Sequence, residues 1–248
     1  MTPLRKWIII CFVVGLCCWL VLDNLAIGSN FGRFVLSRDW QNQPLTIIRL
    51  STLYEYVEQE DYFEGLHDPM TELVLSHHGR VPEIQAVRFE DLCETRDAWQ
   101  QVLLYEIGQG REFSKMATRS KFRELQSANA WILRASAEIA IQTDWQLDTS
   151  TTYLMLLIET RLDHQFESIL SAFARTLEGH GGLQIVLSER AFSLTGKRNF
   201  SPDLVLVVAI DENQSLLRWI DSIVTQSELA LLNGDLDQVQ AILLNPQM

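Results

Sequence analysis

Residues 45–142 and 153–245 of this chain repeat one order of elements at near-constant offsets, and that duplication limits the fold more than any other feature. The clearest match lies between two helical stripes. Phe63, Leu66, His67, Met70 and Val74 stand 103 positions before Phe166, Ile169, Leu170, Phe173 and Leu177. Both stripes then close on His-x-Gly, as His77-His78-Gly79 and His180-Gly181-Gly182. A sheet with helices on one face leaves its other face bare, so two copies in one chain can bury each other.

Periodicity fills in the units. In the first half Leu45–Thr52 is β-like around Ile47 and Ile48, and residues 60–78 are helical, with Asp68-Pro69 marking a restart or kink. Glu83–Phe89 and Gln101–Ile107 alternate as strands around a charged loop at Asp91–Asp97. A helix over 111–126 and a strand at Ala135–Gln142 complete the unit. The second half runs through strand Thr152–Glu159, helix Asp163–Glu178, strands Leu183–Arg190 and Asp203–Ile210, a helix to about residue 232, and strand Val239–Leu244. Each half is thus β-α-β-β-α-β, an order that builds a four-stranded antiparallel sheet with both helices on one face. Stacking the two bare faces gives an α+β fold. Residues 28–44, with Gly28, Asn30, Gly32, Asn42 and Pro44, read as a linker into the first strand.

Upstream of the linker, Arg5-Lys6 precede Trp7 to Leu22, a run of sixteen residues without a charged or amide side chain. At about 1.5 Å per residue this falls slightly short of a ~30 Å hydrocarbon core, and continuing to Ile27 spans it. Residues 1–27 therefore read as one N-terminal transmembrane helix. The basic residues before it keep the N-terminus in the cytoplasm, so the expected location is a bacterial inner membrane with the folded part in the periplasm. A cleaved signal peptide is the other reading, since Ala26-Ile27-Gly28 has the spacing of a peptidase site.

Composition removes several function classes. Beyond residue 27 there are 18 basic and 31 acidic residues, which offers no cationic surface to a nucleic acid. Cys11, Cys17 and Cys18 lie in the apolar run, leaving Cys93 without a disulfide or zinc partner. Gly108-Gln109-Gly110 lacks the third glycine of a dinucleotide fingerprint, and there is no Gly-x-Ser-x-Gly. No cofactor is expected from motifs.

In this order of elements the chain resembles the dimeric α/β-barrel superfamily, ferredoxin-like domains whose sheets pair across a two-fold axis. Here the two partners are fused as tandem repeats. Within the superfamily it is similar to an uncharacterised bacterial family with a Ser-Pro-Glu-Tyr-like motif after the third strand. At those places this chain has Arg119-Ser120-Lys121-Phe122 and Gln226-Ser227-Glu228-Leu229, which depart from the motif. The resemblance covers about 200 residues and implies an intrachain dimeric α/β barrel.

Candidate site residues come from differences between the halves. Arg49 shares a strand face with Ile47 and Ser51, whereas the second half is expected to hold Leu157 there. Glu106 interrupts an apolar strand whose match, Leu204–Ile210, is uninterrupted. First and third strands are neighbours in this topology, so Arg49 and Glu106 are expected to pair, because a buried charge needs a partner. Arg88 and Glu138 add charge at other strand positions. A structural ion pair, rim charges facing water and a polar pocket confined to the first half all fit this pattern.

His67 stands where the other half has Leu170, and reads as a hydrogen-bonded core histidine or a member of that pocket. His77 and His180 end their helices, where a histidine serves the last carbonyls and the dipole, and no metal site is expected. Arg49, Glu106 and His67 are thus the expected ligand-binding residues, with no catalytic residue assigned.

The function expected from these features is a membrane-anchored, exported module that binds a small hydrophobic molecule or a protein partner without catalysis. What the resemblance implies instead is a cofactor-independent monooxygenase or isomerase acting on a hydrophobic small molecule. A haem role would require His67 or His180 to point into a cavity.

Overall fold

The computed structural model describes residues 38–82, 84–91, 99–143, 148, 151–160, 171, 183–196, 201–210 and 236–246. The apolar N-terminal run and the helices expected at Asp163–Glu178 and up to about residue 232 lie outside the described residues, as do His164 and His180. No helix among the described residues is long and apolar enough to cross a membrane.

A short helix α1 (Arg38–Gln41) leads into β1 (Leu45–Leu53). Then come α2 (Gln59–Tyr62), a π-helical turn (Phe63–His67) and α3 (Asp68–Ser76). Strands β2 (Gly79–Arg80), β3 (Ile84–Asp91) and β4 (Gln101–Ile107) follow, then α4 (Gly110–Ala117), α5 (Ser120–Ile132) and β5 (Leu133–Ile141). The second half contributes β6 (Thr152–Thr160), β7 (Leu183–Gly196), β8 (Leu204–Ile210) and β9 (Leu236–Pro246).

These strands form one antiparallel sheet in the order β2-β4-β1-β5-β7-β8-β6-β9-β3. Within each half the first strand lies between the third and the fourth, as β-α-β-β-α-β requires. The second strands do more than expected. Gly79–Arg80 pairs with β4 of its own half, but Ile84–Asp91 pairs with β9 of the other. Likewise Leu183–Arg190 pairs with β8, while Ala191–Gly196 continues along β5. This crossing explains why β7 runs beyond the expected end at Arg190. Pro82, which cannot donate to a ladder, stands between β2 and β3, where the chain changes partner. Because β2 and β3 are neighbouring segments of chain, the sheet order begins and ends at the same place and curls into a barrel.

The barrel interior is a single apolar cluster drawn from both halves. Ile48, Leu50, Leu104, Ile139 and Ile141 meet Tyr153, Met155, Leu157, Val205, Val207 and Ile242 there. The outer face of the first half packs Leu45, Ile47, Leu103, Tyr105 and Ala140 against Tyr62, Leu66, Met70, Val74, Phe113, Met116 and Phe122 of the helices. Strand β1 is therefore buried on both faces, which accounts for its near-continuous run of buried residues.

Register fixes the internal equivalence. Leu45 opposes Ile107 as Thr152 opposes Ile210, and the bulge at Thr52/Leu53 recurs at Glu159/Thr160. Arg49 accordingly matches Leu156, not Leu157 as expected from the sequence. A shift of one residue reverses the face of a strand: Leu157 points into the barrel, whereas Arg49 lies on the helix side.

The helical stretch over 59–76 changes from π to α at Asp68, where the sequence marked a restart, with Pro69 in the first turn of α3. A proline ring inside a helix collides with the carbonyl four residues back and lacks the donor that carbonyl needs. The π turn immediately before it widens the helix, with the Asp68 N–H reaching Phe63 O. At the far end His77 is the C-cap, its N–H donating to Val74 O at 3.0 Å, and His78 takes a left-handed φ of 59°. Gly79 is needed for space: a Cβ there would lie 2.5 Å from Val74 Cγ1.

Burial of the His77 ring, reinforced by the Arg119 cation, holds its pKa below the ordinary histidine value. The unfolded chain therefore takes up the proton first as pH falls. Stability from this residue is intact above the unfolded value of about 6.5 and declines below it. Urea midpoints at pH 7.5 and 5.5 should show a smaller acid-side loss in His77→Gln than in the parent; an equal loss would refute this assignment.

Candidate functional site

On the helix side of the first half, β1 and β5 bring Arg49 opposite Glu138 and Ser51 opposite Ser136. Arg49 is 1% exposed and Glu138 4% exposed, so their charges meet without bulk water. Arg49 Nη2 donates to Asn129 Oδ1 at 2.5 Å. Asn129 Nδ2 donates to Gln126 Oε1 at 2.9 Å, and Gln126 Nε2 donates to Glu138 Oε1 at 3.2 Å. Glu138 Oε1 closes the circuit at 3.6 Å from Arg49 Nη1. Each amide thus uses its oxygen toward one neighbour and its nitrogen toward the next, which fixes both orientations.

The aromatic residues around this ring are polar at one end. Tyr105 and Tyr62 are buried, and their hydroxyls lie in the field of the guanidinium. Burial would push the Arg49 pKa down, but Glu138, Tyr105 and Tyr62 outweigh it, leaving the group above its ordinary value and firmly cationic. Burial also raises both tyrosines despite the opposing cation, so both remain protonated donors. Arg49 Nε, Ser51 Oγ and the Tyr105 hydroxyl make no close, well-aligned hydrogen bond, although Tyr105 lies beside Arg49 and Ser51 beside Tyr62. Several such groups in one buried place form an incompletely satisfied donor set.

Of the residues expected from the sequence, Arg49 is central to this set, and Glu106 is not part of it. Glu106 opposes Thr46, whereas the β4 partner of Arg49 is Leu103. Its side chain emerges on the barrel face and binds Arg80, with Nε at 2.6 Å and Nη2 at 2.5 Å. The expected Arg49–Glu106 pair fails on strand parity. His67 closes the π turn, half-buried, with Nδ1 2.8 Å from Asp68 Oδ1. Its ring lies 4.8 Å from that of Phe63 and 6.2 Å from that of Tyr62. His67 thus flanks the covering helix, one aromatic ring away from the buried network. Arg88 is on β3, opposite Leu243, away from Arg49. Among the described residues no group of three or more His, Cys, Asp or Glu could hold a metal ion.

Asn129, Gln126, Tyr62 and Tyr105 are the members that sequence reasoning missed. Glu138 was visible as a strand charge, and the signal that would have paired it is topological. In this fold the first strand has two neighbours, and the fourth carries the matching carboxylate. Nearby, the end of α5 exposes Trp131, whose carbonyl accepts from the Tyr56 hydroxyl at 3.0 Å, and Tyr56 stacks on Tyr54 at 5.2 Å.

No protein-family profile and no curated protein sequence matches this chain. Solved structures do. An anthrone oxidase-like protein superposes with a TM-score of 0.50 at 10% identity, covering 82% of this chain and 92% of its own. A candidate monooxygenase from Fusobacterium nucleatum subsp. nucleatum ATCC 25586 gives 0.46 at 14% identity, covering 83% and 94%. A chlorite dismutase variant from Candidatus Nitrospira defluvii gives 0.46 at 6% identity, covering 82% and 92%. At such identities the likeness concerns the fold alone, an α+β architecture around an antiparallel sheet.

Removing one member of a buried pair is costly, while replacing both by apolar residues is often neutral or better. Arg49→Leu alone should lose about 3–5 kcal/mol in urea unfolding because it strands Glu138. Arg49→Leu with Glu138→Ala, copying Leu156 and Ala241, should recover most of that loss. A loss in the double variant equal to the sum of the Arg49→Leu and Glu138→Ala losses would show that the two charges are not coupled.

Proposed function

We propose that this protein binds a small hydrophobic molecule between the sheet and helices of its first half, and acts on it as a cofactor-independent monooxygenase or isomerase. One observation carries the reading. Arg49, Ser51, Tyr105, Ser136 and Glu138 correspond to Leu156, Ile158, Val208, Val239 and Ala241 in the second half. The same backbone positions are thus built from apolar residues in one half, so a scaffold does not require the polar set.

A buried cation beside a protonated tyrosine suits one kind of chemistry. Both can donate to an oxygen that gains negative charge when an adjacent C–H loses its proton. Returning that proton to another carbon isomerises the molecule. Reaction of the carbanion with dioxygen turns a methylene into a carbonyl and releases water, with the substrate as the only reductant. His67, oriented by Asp68, is the candidate base. An anthrone oxidase-like protein shares this fold, which accords with this class.

Dioxygen uptake and deuterium exchange from D2O, measured over a panel of hydrophobic ketones and phenols, test the proposal. Turnover or exchange should fall at least ~100-fold in Arg49→Leu/Glu138→Ala, the scale of a lost oxyanion donor. His67→Gln should slow the reaction and alter its pH profile. No uptake or exchange with any member would defeat the catalytic reading. Arg49 already has Asn129 and Glu138 as partners, and this favours a second reading, a binding module without turnover; binding with no reaction is its signature.

The tether read from residues 7–27 belongs to the same proposal, with the folded part outside the cytoplasm of a bacterial cell and no role for nucleic acid. Full-length protein should fractionate with membranes and resist salt and carbonate washes. A soluble form beginning near Ser29 would identify the segment as a cleaved signal.

A further inference from the structure

We infer that the exposed aromatic patch at the ends of β1 and α5, formed by Tyr54, Tyr56 and Trp131, is a docking surface for a basic, arginine-bearing segment of a partner protein. It lies on the surface, apart from the buried site around Arg49.

The patch is both exposed and held in place. Tyr56 is 70% exposed and Trp131 76% exposed, the highest values among the large hydrophobic side chains of the described residues. Tyr54 N–H donates to Ile132 O at 3.2 Å and Val57 N–H to Tyr54 O at 3.0 Å, so the turn after β1 is fastened to the end of α5. The Tyr56 hydroxyl donates to Trp131 O at 3.0 Å, and its ring stacks on Tyr54 at 5.2 Å and 12°. The tyrosine rings are therefore set before a partner arrives, and docking orders little that was free. Tryptophan and tyrosine anchors of this kind carry much of the binding energy at protein contacts. Their ring faces also attract cations, with arginine the commonest partner and tryptophan the best ring.

Charge selects the occupant. Residues 54–64 and 127–134 build this end of the first half, and they carry Glu55, Glu58, Glu60, Asp61 and Glu64, all exposed, against Arg134 as their one basic residue. A guanidinium can stack on a ring while its fork reaches a carboxylate, so an arginine-bearing segment meets both features at once. A second copy of this chain, at a net charge of −12, would set the same acidic rim against itself. Anionic lipid headgroups meet the same repulsion. Strand β1 also runs from the linker end at Leu45 to the patch end at Leu53, roughly 27 Å away, so a tether at residues 7–27 enters at the opposite end.

Fluorescence anisotropy with full-length protein in detergent tests this, the probes being a labelled peptide of alternating arginine and glycine and its glutamate-for-arginine counterpart. The arginine peptide should bind and the glutamate peptide should not. Tyr56→Ala/Trp131→Ala should weaken binding at least ~10-fold, the scale of two lost cation–π contacts. Trp131→Lys, a single change at an exposed position, should act in the same direction with an unchanged urea midpoint. Glu55→Gln/Glu60→Gln should weaken binding ~5-fold, whereas Glu72→Gln/Glu112→Gln, which removes the same charge beside Lys121 and Lys115, should shift it less than ~2-fold. No binding of the arginine peptide overturns the inference, as does an equal shift in the two Gln pairs, which would reduce the effect to net charge. A dimer that Trp131→Lys dissolves would assign the patch to a second copy and overturn it. So would lipid contact, read in proteoliposomes as quenching by brominated phosphatidylcholine that is lost in Trp131→Phe.

Discussion

The exchange of second strands between the two halves is the interaction on which the rest of the molecule depends. Without β3 on β9 and β7 on β5, each half is an open sheet with an apolar face and a bare edge, a poor solution in water. With it, one ladder runs unbroken from β2 to β3 and the two apolar faces become one interior. Burial of β1 on both faces follows directly. So does the isolation of Arg49, which sits on a strand with no solvent-facing side to use.

That isolation makes the polar ring of Arg49, Asn129, Gln126 and Glu138 costly to build partially and stable when complete. Two of its members come from adjacent strands and two from one helix three residues apart, so the ring also fixes how α5 lies on the sheet. Pro69 and the π turn contribute from the other side. By widening the covering helix without breaking it, they keep Tyr62 and His67 on one continuous element.

Much of the architecture was legible in the chain itself. The strand order followed from the repeat, with the first strand of each half between its third and fourth, and Gln101–Ile107 emerged with the expected bounds. What escaped was relational. The offset of 103 holds along the described third and fourth strands, but the first strands differ by 107, because the connecting segments differ in length. Helix spacing alone could not reveal that slip, and a slip of one moved the assigned counterpart of Arg49 to the wrong face. Glu106 was misassigned for the same reason: adjacency of strands was correct, parity was not. The amides of Asn129 and Gln126 carried no signal, since on a helix they read as ordinary surface residues until the sheet beneath supplies their partners.

Strand exchange also has a consequence for assembly. The edge of β3 is completed by β9, which is the last strand in the chain order, and nothing in the ladder distinguishes a β9 of the same molecule from that of a neighbour. Every hydrogen bond, and the interior cluster with it, is preserved if two chains trade halves. An exchange of halves between two chains would reuse these same strand pairings. The fused repeats keep the two halves at high effective concentration, and covalent linkage is what favours closure within one chain.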